Sequence, residues 1–261
     1  MGYKSKEHII TALKKGVRLD GRKSDEFRPI TIVTNTIETA EGSAHIKCGN
    51  TELLAGVKMS TGTPYPDTPN SGVLIVGAEL LPLSNPMFEQ GPPTIESIEL
   101  ARVIDRGIRE SKTIDDKALC ITQGELVWMV NVDICPLNTD GNLIDLGALA
   151  AIAALKSTRL PKLVNKKADY HNKTNDYLPV KSVPIPVTVV KVGEILLVDP
   201  SEDELSIADA RLTVTTEEDG TICALQKGGD GSLTEAEVST MIDIATEKAG
   251  ELRAILMKAL K

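Results

Sequence analysis

The stretches VPIPVTVVKVGEILLVDP at 183–200, ARLTVTTEEDGTICALQKG at 210–228 and LTEAEVSTMIDIATEKAGELRAILMKAL at 233–260 decide the fold. The first is dense in β-branched residues and reads as strands. The second reads as a hairpin turning near Asp219–Gly220. The third is a long helix whose apolar stripe is Leu233, Val238, Ile242, Ala245, Ala249, Leu252 and Leu256. Strands followed by a packing helix make one sheet-plus-helix unit.

Working outward, the same order stands earlier in the chain. ITIVTNTIETA, GSAHIKCG and TELLAGVKM between residues 30 and 59 read as strands separated by turns, with alternation visible in HIKCG and LLAGVKM. TGTPYPDTPNS at 61–71 carries three prolines and reads as a loop, and GVLIVGAELLPL as a further strand. Residues 94–112 form a predicted helix opened by Thr94, with Glu96 and Ser97 in its first turn. ALCITQGELVWMVNVDICPL reads as a hairpin, and LIDLGALAAIAALKST as a small-residue helix packed closely on a sheet. A short helix at 6–16 puts Ile9, Ile10 and Leu13 on one face before Gly16. Two such units give an α+β protein with internal duplication. The expected organisation is an N-terminal helix and ring-contact loop at 1–27, a first unit at 28–160, a polar connection at 161–182 and a second unit at 183–261.

Composition narrows the chemistry. With 261 residues, 41% hydrophobic but only 3% aromatic, the chain can bury a sizeable core, and that core is aliphatic. A net charge of -8 is not expected to coat nucleic acid through the overall field, so any RNA contact must come from a local patch or a partner. Cys48, Cys120, Cys135 and Cys223 lack a CxxC pair, and His8, His45 and His171 lack ligand spacing. Neither a metal nor a cofactor is expected. No apolar run approaches the ~20 residues of a membrane span, and the first residues lack a signal peptide's apolar segment, so the expected compartment is the cytoplasm.

Several motifs together resemble the RNase PH superfamily: Arg18-Leu19-Asp20-Gly21-Arg22, Phe27-Arg28-Pro29, Gly42-Ser43-Ala44, Gly49-Asn50-Thr51, the arginine-bearing helix from Glu99 to Arg109, and Asp140-Gly141. The resemblance runs from about residue 16 to 255. It implies an RNase PH fold, two similar βαβα units (ribosomal protein S-five domain 2-like) packed together, and six-membered rings around a pore. Active members degrade RNA from its 3′ end with inorganic phosphate as the attacking group. In archaea two kinds of subunit alternate, three copies of each, beneath RNA-binding cap subunits, and one kind holds the phosphate site. This chain's loop, together with DARLTVTTEEDGTICALQKGGDG at 209–231, resembles the other kind, the non-catalytic ring subunit of an archaeal exosome, whose substrate is single-stranded RNA.

The loop carries that distinction. Attacking phosphate and scissile phosphodiester repel, so a phosphorolytic site needs cationic or backbone donors beside both. The matching stretch here is Asp140-Gly141-Asn142-Leu143-Ile144-Asp145, with Ile144 where the family pattern implies arginine and Asp145 where it implies a hydroxyl. An aliphatic side chain cannot donate, and a carboxylate repels phosphate. The alternative is a shifted match in which another cation completes the site. In DPSEDELSIAD, Asp203 and Asp209 fall about where the resemblance implies a pair of acid–base or metal-linked aspartates; they read either as relics of that pair or as a solvated charged turn.

Arg102, Arg106 and Arg109 fall at i, i+4 and i+7, on one helix face. Ile95, Ile98, Ala101, Ile104 and Ile108 are expected to pack elsewhere, and Glu99 and Glu110 to reach some of the arginines. The stripe reads either as a salt-bridged surface or as an RNA-phosphate track, since the guanidinium fork binds phosphate bidentately. Such contacts hold the backbone without reading bases, and the scarcity of aromatics argues against a stacking platform. Three functions stay open: a non-catalytic RNA-binding ring subunit, an active phosphate-dependent 3′ exoribonuclease, and a scaffold whose arginines bond only to neighbouring subunits.

Overall fold

The computed structural model describes residues 6–261. Strands β1 (Ile30–Thr34), β2 (Gly42–Cys48), β3 (Thr51–Gly62), β4 (Val73–Ala78), β5 (Cys120–Thr122) and β6 (Leu126–Asn138) make the first sheet, in the order β1-β2-β3-β6-β4 with β5 on β6. All its pairs are antiparallel except β4 with β6. The second sheet is β10-β9-β11-β12, built from β9 (Ile185–Val192), β10 (Ile195–Val198), β11 (Ala210–Thr216) and β12 (Ile222–Gly228), and is antiparallel throughout. Alternation is realised in β3, where Thr51, Leu53, Ala55, Val57 and Met59 are buried and the residues between them are not.

Helices fill the space between the sheets. α3 (Leu143–Ser157) packs on β2, β3 and β6 of the first sheet and on β9 of the second. A helix wedged between two sheets must be apolar all round, and small residues let the backbones approach, which is what LIDLGALAAIAALKS supplies. The sequence reading anticipated one sheet face; the helix has two. α5 (Glu235–Ala259) lies on β9 and β11, with Met241, Ala245, Ala249, Leu252 and Leu256 buried. It opens on a capping box between Thr234 and Glu237. α2 (Ile95–Glu110) contacts β4, β12 and α3. On the outer side of the second sheet, α1 (Lys6–Lys14) buries Ile9 and Leu13 against Val190, Val192, Leu197 and Ile207. No described helix is long and apolar enough to cross a membrane.

Three local expectations change. The polar connection holds a two-stranded hairpin, β7 (Arg159–Val164) and β8 (Lys167–Tyr177), whose faces are mostly solvated and so leave no apolar signature. The charged turn after Pro200 contains α4 (Glu202–Ser206), closed by a Ser201–Glu204 capping box. On α2, Ile104 and Ile108 are buried as expected, but Ile95 and Ile98 are 85% and 45% exposed because they fall in phase with Arg102 and Arg109, off the face buried through Ser97, Leu100, Val103, Ile104 and Ile108.

Candidate functional site

The loop ahead of α3 is positioned by the first strands. Thr51 Oγ1 donates to the Gly141 carbonyl at 3.0 Å and accepts from the Asp140 amide at 3.0 Å, while Arg28 Nη1 donates to the Asp140 carbonyl at 2.7 Å. Gly141 sits at φ +81 with its Cα against the Pro200 carbonyl and Ser201, where a Cβ would overlap the backbone. Asn142 follows, also left-handed at φ 60, as the residue from which α3 starts.

The arginines of the N-terminal signature turn toward the chain's own carboxylates. Asp199, fully buried, accepts from Arg28 Nε at 2.8 Å, Arg28 Nη2 at 2.7 Å, the Arg28 amide at 2.9 Å, Arg22 Nη1 at 2.8 Å and Asn142 Nδ2 at 2.9 Å. Burial pushes the Asp199 carboxyl up, but the Arg28 and Arg22 cations more than offset it and hold it below the usual carboxylate range. Arg18 grips Glu204 through Nε at 2.9 Å and Nη2 at 2.5 Å, and the same Glu204 Oε2 takes the Ser201 amide at 2.9 Å. Cys48 lies beside Asp199, and burial followed by that carboxylate pushes its thiol up to about 12. Residues 18–28 are thus clasped to the start of α4.

Beside this clasp the loop forms one wall of a cavity of about 320 Å³. Ile144, Gly141 and Asn142 line it together with Phe88 and Leu205. Its charged groups are Glu96, Glu99 and Glu202 against a single cation, Arg211, whose Nη2 is held by Glu99 at 2.5 Å. Burial, then the neighbouring Asp140 and Glu96 carboxylates, push the Glu202 carboxyl above the usual carboxylate range. Such a cavity offers phosphate acidic walls and one arginine already paired.

Asp145 takes a place that the sequence reading did not give it. Its carboxyl is 0% exposed and points into the contact between α3 and β9, taking the Thr188 amide at 3.0 Å and the Thr188 hydroxyl at 2.7 Å, with Thr213 next in the chain of hydroxyls at 2.8 Å. Burial pushes it up to about 7. It therefore ties α3 to the second sheet and does not stand in the cavity wall. Asp203 and Asp209 are not brought together there either. Asp209 closes the β9–β10 turn by accepting the Gly193 amide at 2.7 Å, and the Asp203 carbonyl accepts the Ser206 hydroxyl at 2.7 Å. The carboxylates that do line the cavity are Glu96, Glu99 and Glu202. The first two stand three residues apart in the opening turns of α2, a spacing visible in the sequence; nothing local links them to Glu202.

On α2 the three arginines are exposed on one side. Arg102 has no side-chain partner among the described residues, and Arg106 Nη1 reaches Gln226 of β12 at 3.3 Å. Arg109 is held by Asp105 at 2.7 Å and by the Leu74 carbonyl at 3.2 Å. Glu99 and Glu110 are not their partners: Glu99 serves Arg211, and Asp105 serves Arg109.

Comparison with known proteins places this arrangement. Models of the 3′ exoribonuclease family match residues 26–161 as its domain 1 and 182–248 as its domain 2. The chain is similar to Exosome complex component Rrp42 of Thermococcus gammatolerans, 49% identical over 258 residues, covering 98% of this chain and 94% of that protein. Exosome complex component Rrp42 of Archaeoglobus fulgidus is 49% identical over 249 residues, covering 95% and 94%. Among solved structures, a chain of the Archaeoglobus fulgidus exosome with RNA bound to the active site superposes with a TM-score of 0.89 at 47% identity, covering 95% of this chain and 96% of that one. Both family models and these near full-length likenesses lead to one conclusion: the chain belongs to the 3′ exoribonuclease family with the RNase PH fold.

Proposed function

We propose that this protein is a non-catalytic ring subunit of an archaeal exosome, which binds single-stranded RNA and helps to structure the active site of a catalytic RNase PH-type partner in phosphorolytic 3′–5′ decay. The relatives named as exosome components support the assembly. The partners are three catalytic subunits alternating with three copies of this chain, and cap RNA-binding subunits, in the cytoplasm. One observation carries the non-catalytic reading: the cavity at the phosphate loop presents Ile144 and three glutamates, and its sole charged donor, Arg211, is bound by one of them. Two phosphate groups brought there would meet three carboxylates and a single cation whose Nη2 already serves Glu99. Arg102 and Arg106, exposed on α2, are the proposed backbone contacts to RNA. The test is phosphate-dependent decay of single-stranded RNA by the isolated chain and by the mixed ring. Nucleoside diphosphate release is expected only from the ring; steady release by the pure isolated chain would overturn the proposal.

A further inference from the structure

The C-terminal end of α2 borders a second cavity, of about 520 Å³, whose charge is opposite to that of the first. Its cations are Arg109, Lys112, Lys117 and Lys181, and its acids are Asp115 and Asp116. Four positive against two negative groups leave a net +2, in a chain whose own net charge is -8. Lys181 is paired with Asp115 at 2.7 Å and Arg109 with Asp105 at 2.7 Å, so Lys112 and Lys117 are the lining cations without an ion pair among the described residues. Both are exposed. The remaining wall is apolar, with Val73 and Leu74 of β4, Ile108 of α2, and Leu119.

A helix C-terminus ordinarily repels anions through its free carbonyls. Here three of those carbonyls are occupied. Ser111 Oγ donates to the Gly107 carbonyl at 2.7 Å, the Thr113 amide to Ile108 at 3.2 Å, and the Lys112 amide to Arg109 at 3.1 Å. The lysine side chains are therefore not needed as caps. Room of this size, one apolar wall and two unpaired ammonium groups fit a nucleotide, with the phosphate at the lysines and the base against the aliphatic wall. Arg109 belongs both to the α2 stripe and to this cavity, and it stands about 10 Å along the helix from Arg102.

We infer that the cavity at the end of α2 is a ribonucleotide-binding site, in which Lys112 and Lys117 hold phosphate. This deepens the reading of α2 as an RNA track and rests on it for the continuity of the path, while the cavity itself stands on its own geometry. The shared chemistry, a phosphate with its nucleoside, has two sources: RNA passing along α2, or a free nucleoside diphosphate.

The test is equilibrium binding of a labelled single-stranded RNA oligonucleotide, and separately of a nucleoside diphosphate, to the full chain alone and in the ring with its catalytic homologue. In the Lys112→Gln, Lys117→Gln double variant RNA affinity is expected to fall about tenfold. The dependence of log affinity on log salt should become shallower by roughly 1.4, two lost contacts at roughly 0.7 each. The Lys112→Arg, Lys117→Arg pair should restore both. A loss confined to the nucleoside diphosphate would identify the free nucleotide as the occupant. Measured in parallel, Arg102→Ala with Arg106→Ala separates the two ideas: RNA binding that survives this change but not the lysine change removes the α2 track and leaves the cavity. A folded lysine variant that binds both ligands like the parent overturns the inference, and so does one whose only defect is ring formation, which would assign the lysines to a protein contact.

Discussion

Asp145 and Gly141 show how single residues set the properties of the loop. The Asp145 carboxyl is pushed by burial from the ordinary 3.8 up to about 7. Between those values the folded protein keeps a proton that the unfolded chain has released, so stability is fullest below about pH 4, falls as pH rises toward 7 and then levels off. Each unit of that shift corresponds to about 1.4 kcal/mol. Asp199 acts in the opposite sense and at lower pH, because its carboxyl is held down and its contribution is lost only under acid. Glu202 and Asp133, whose carboxyls are also pushed up, act in the same sense as Asp145, so in denaturant unfolding the Asp145 share of the slope between pH 4 and 8 is read as the difference between parent and variant. Asp145→Asn, whose amide can keep both bonds to Thr188, is expected to flatten that slope and to exceed the parent in stability at pH 8. Gly141→Ala is expected to destabilise by about 2 kcal/mol or more, read in the same assay, since φ +81 and the Pro200 carbonyl both exclude a Cβ. That Ile144 offers the cavity wall no donor was legible in the sequence, because it needs only an inventory of side chains that can donate. The inward turn of Asp145 was not, because its partner Thr188 lies 43 residues away on the other sheet.

Among the elements, those with caps and a buried face were the readable ones. α2 begins at Thr94, whose side chain accepts the Ser97 amide, and α5 begins on its capping box, both as the residue types suggest. The hairpin β7–β8 escaped notice because β8 (KADYHNKTNDY) has no buried face, and without burial there is no alternation to read. The arginine stripe of α2 was visible from its spacing, whereas the partners of those arginines were not. Arg102 and Arg106 are exposed, so changing both to Ala should leave the ring's mass unchanged while RNA affinity falls and its salt dependence weakens by roughly 1.4. The decay rate at limiting RNA should drop with it, and affinity for inorganic phosphate should not. Native mass measurement and RNA titration on the same variant decide this; a dissociated ring would support the scaffold reading.

The molecule as a whole carries apolar surface that a lone subunit has no use for. Met87 is 74% exposed and Ile95 is 85% exposed, flanking in sequence the cavity residues Phe88 and Glu96. Met87→Asp with Ile95→Asp is expected to abolish assembly with the catalytic homologue while leaving the monomer's melting temperature within a few degrees, by size-exclusion and thermal unfolding; a ring that forms normally would show that this face is not the contact. The duplicated architecture was legible because each half repeats strands and a packing helix, but the way the halves are joined was not. Arg28 and Asp199 are 171 residues apart, and no local pattern reports such a pair. That separation also has a consequence in time. During synthesis the arginines of the first segment leave the ribosome long before their carboxylates exist. At translation speeds of about 5–20 residues per second the wait is roughly 10–35 s. Through that interval Arg18 and Arg28 are without Glu204 and Asp199, and the nascent first half must persist, or be shielded, until the second half arrives.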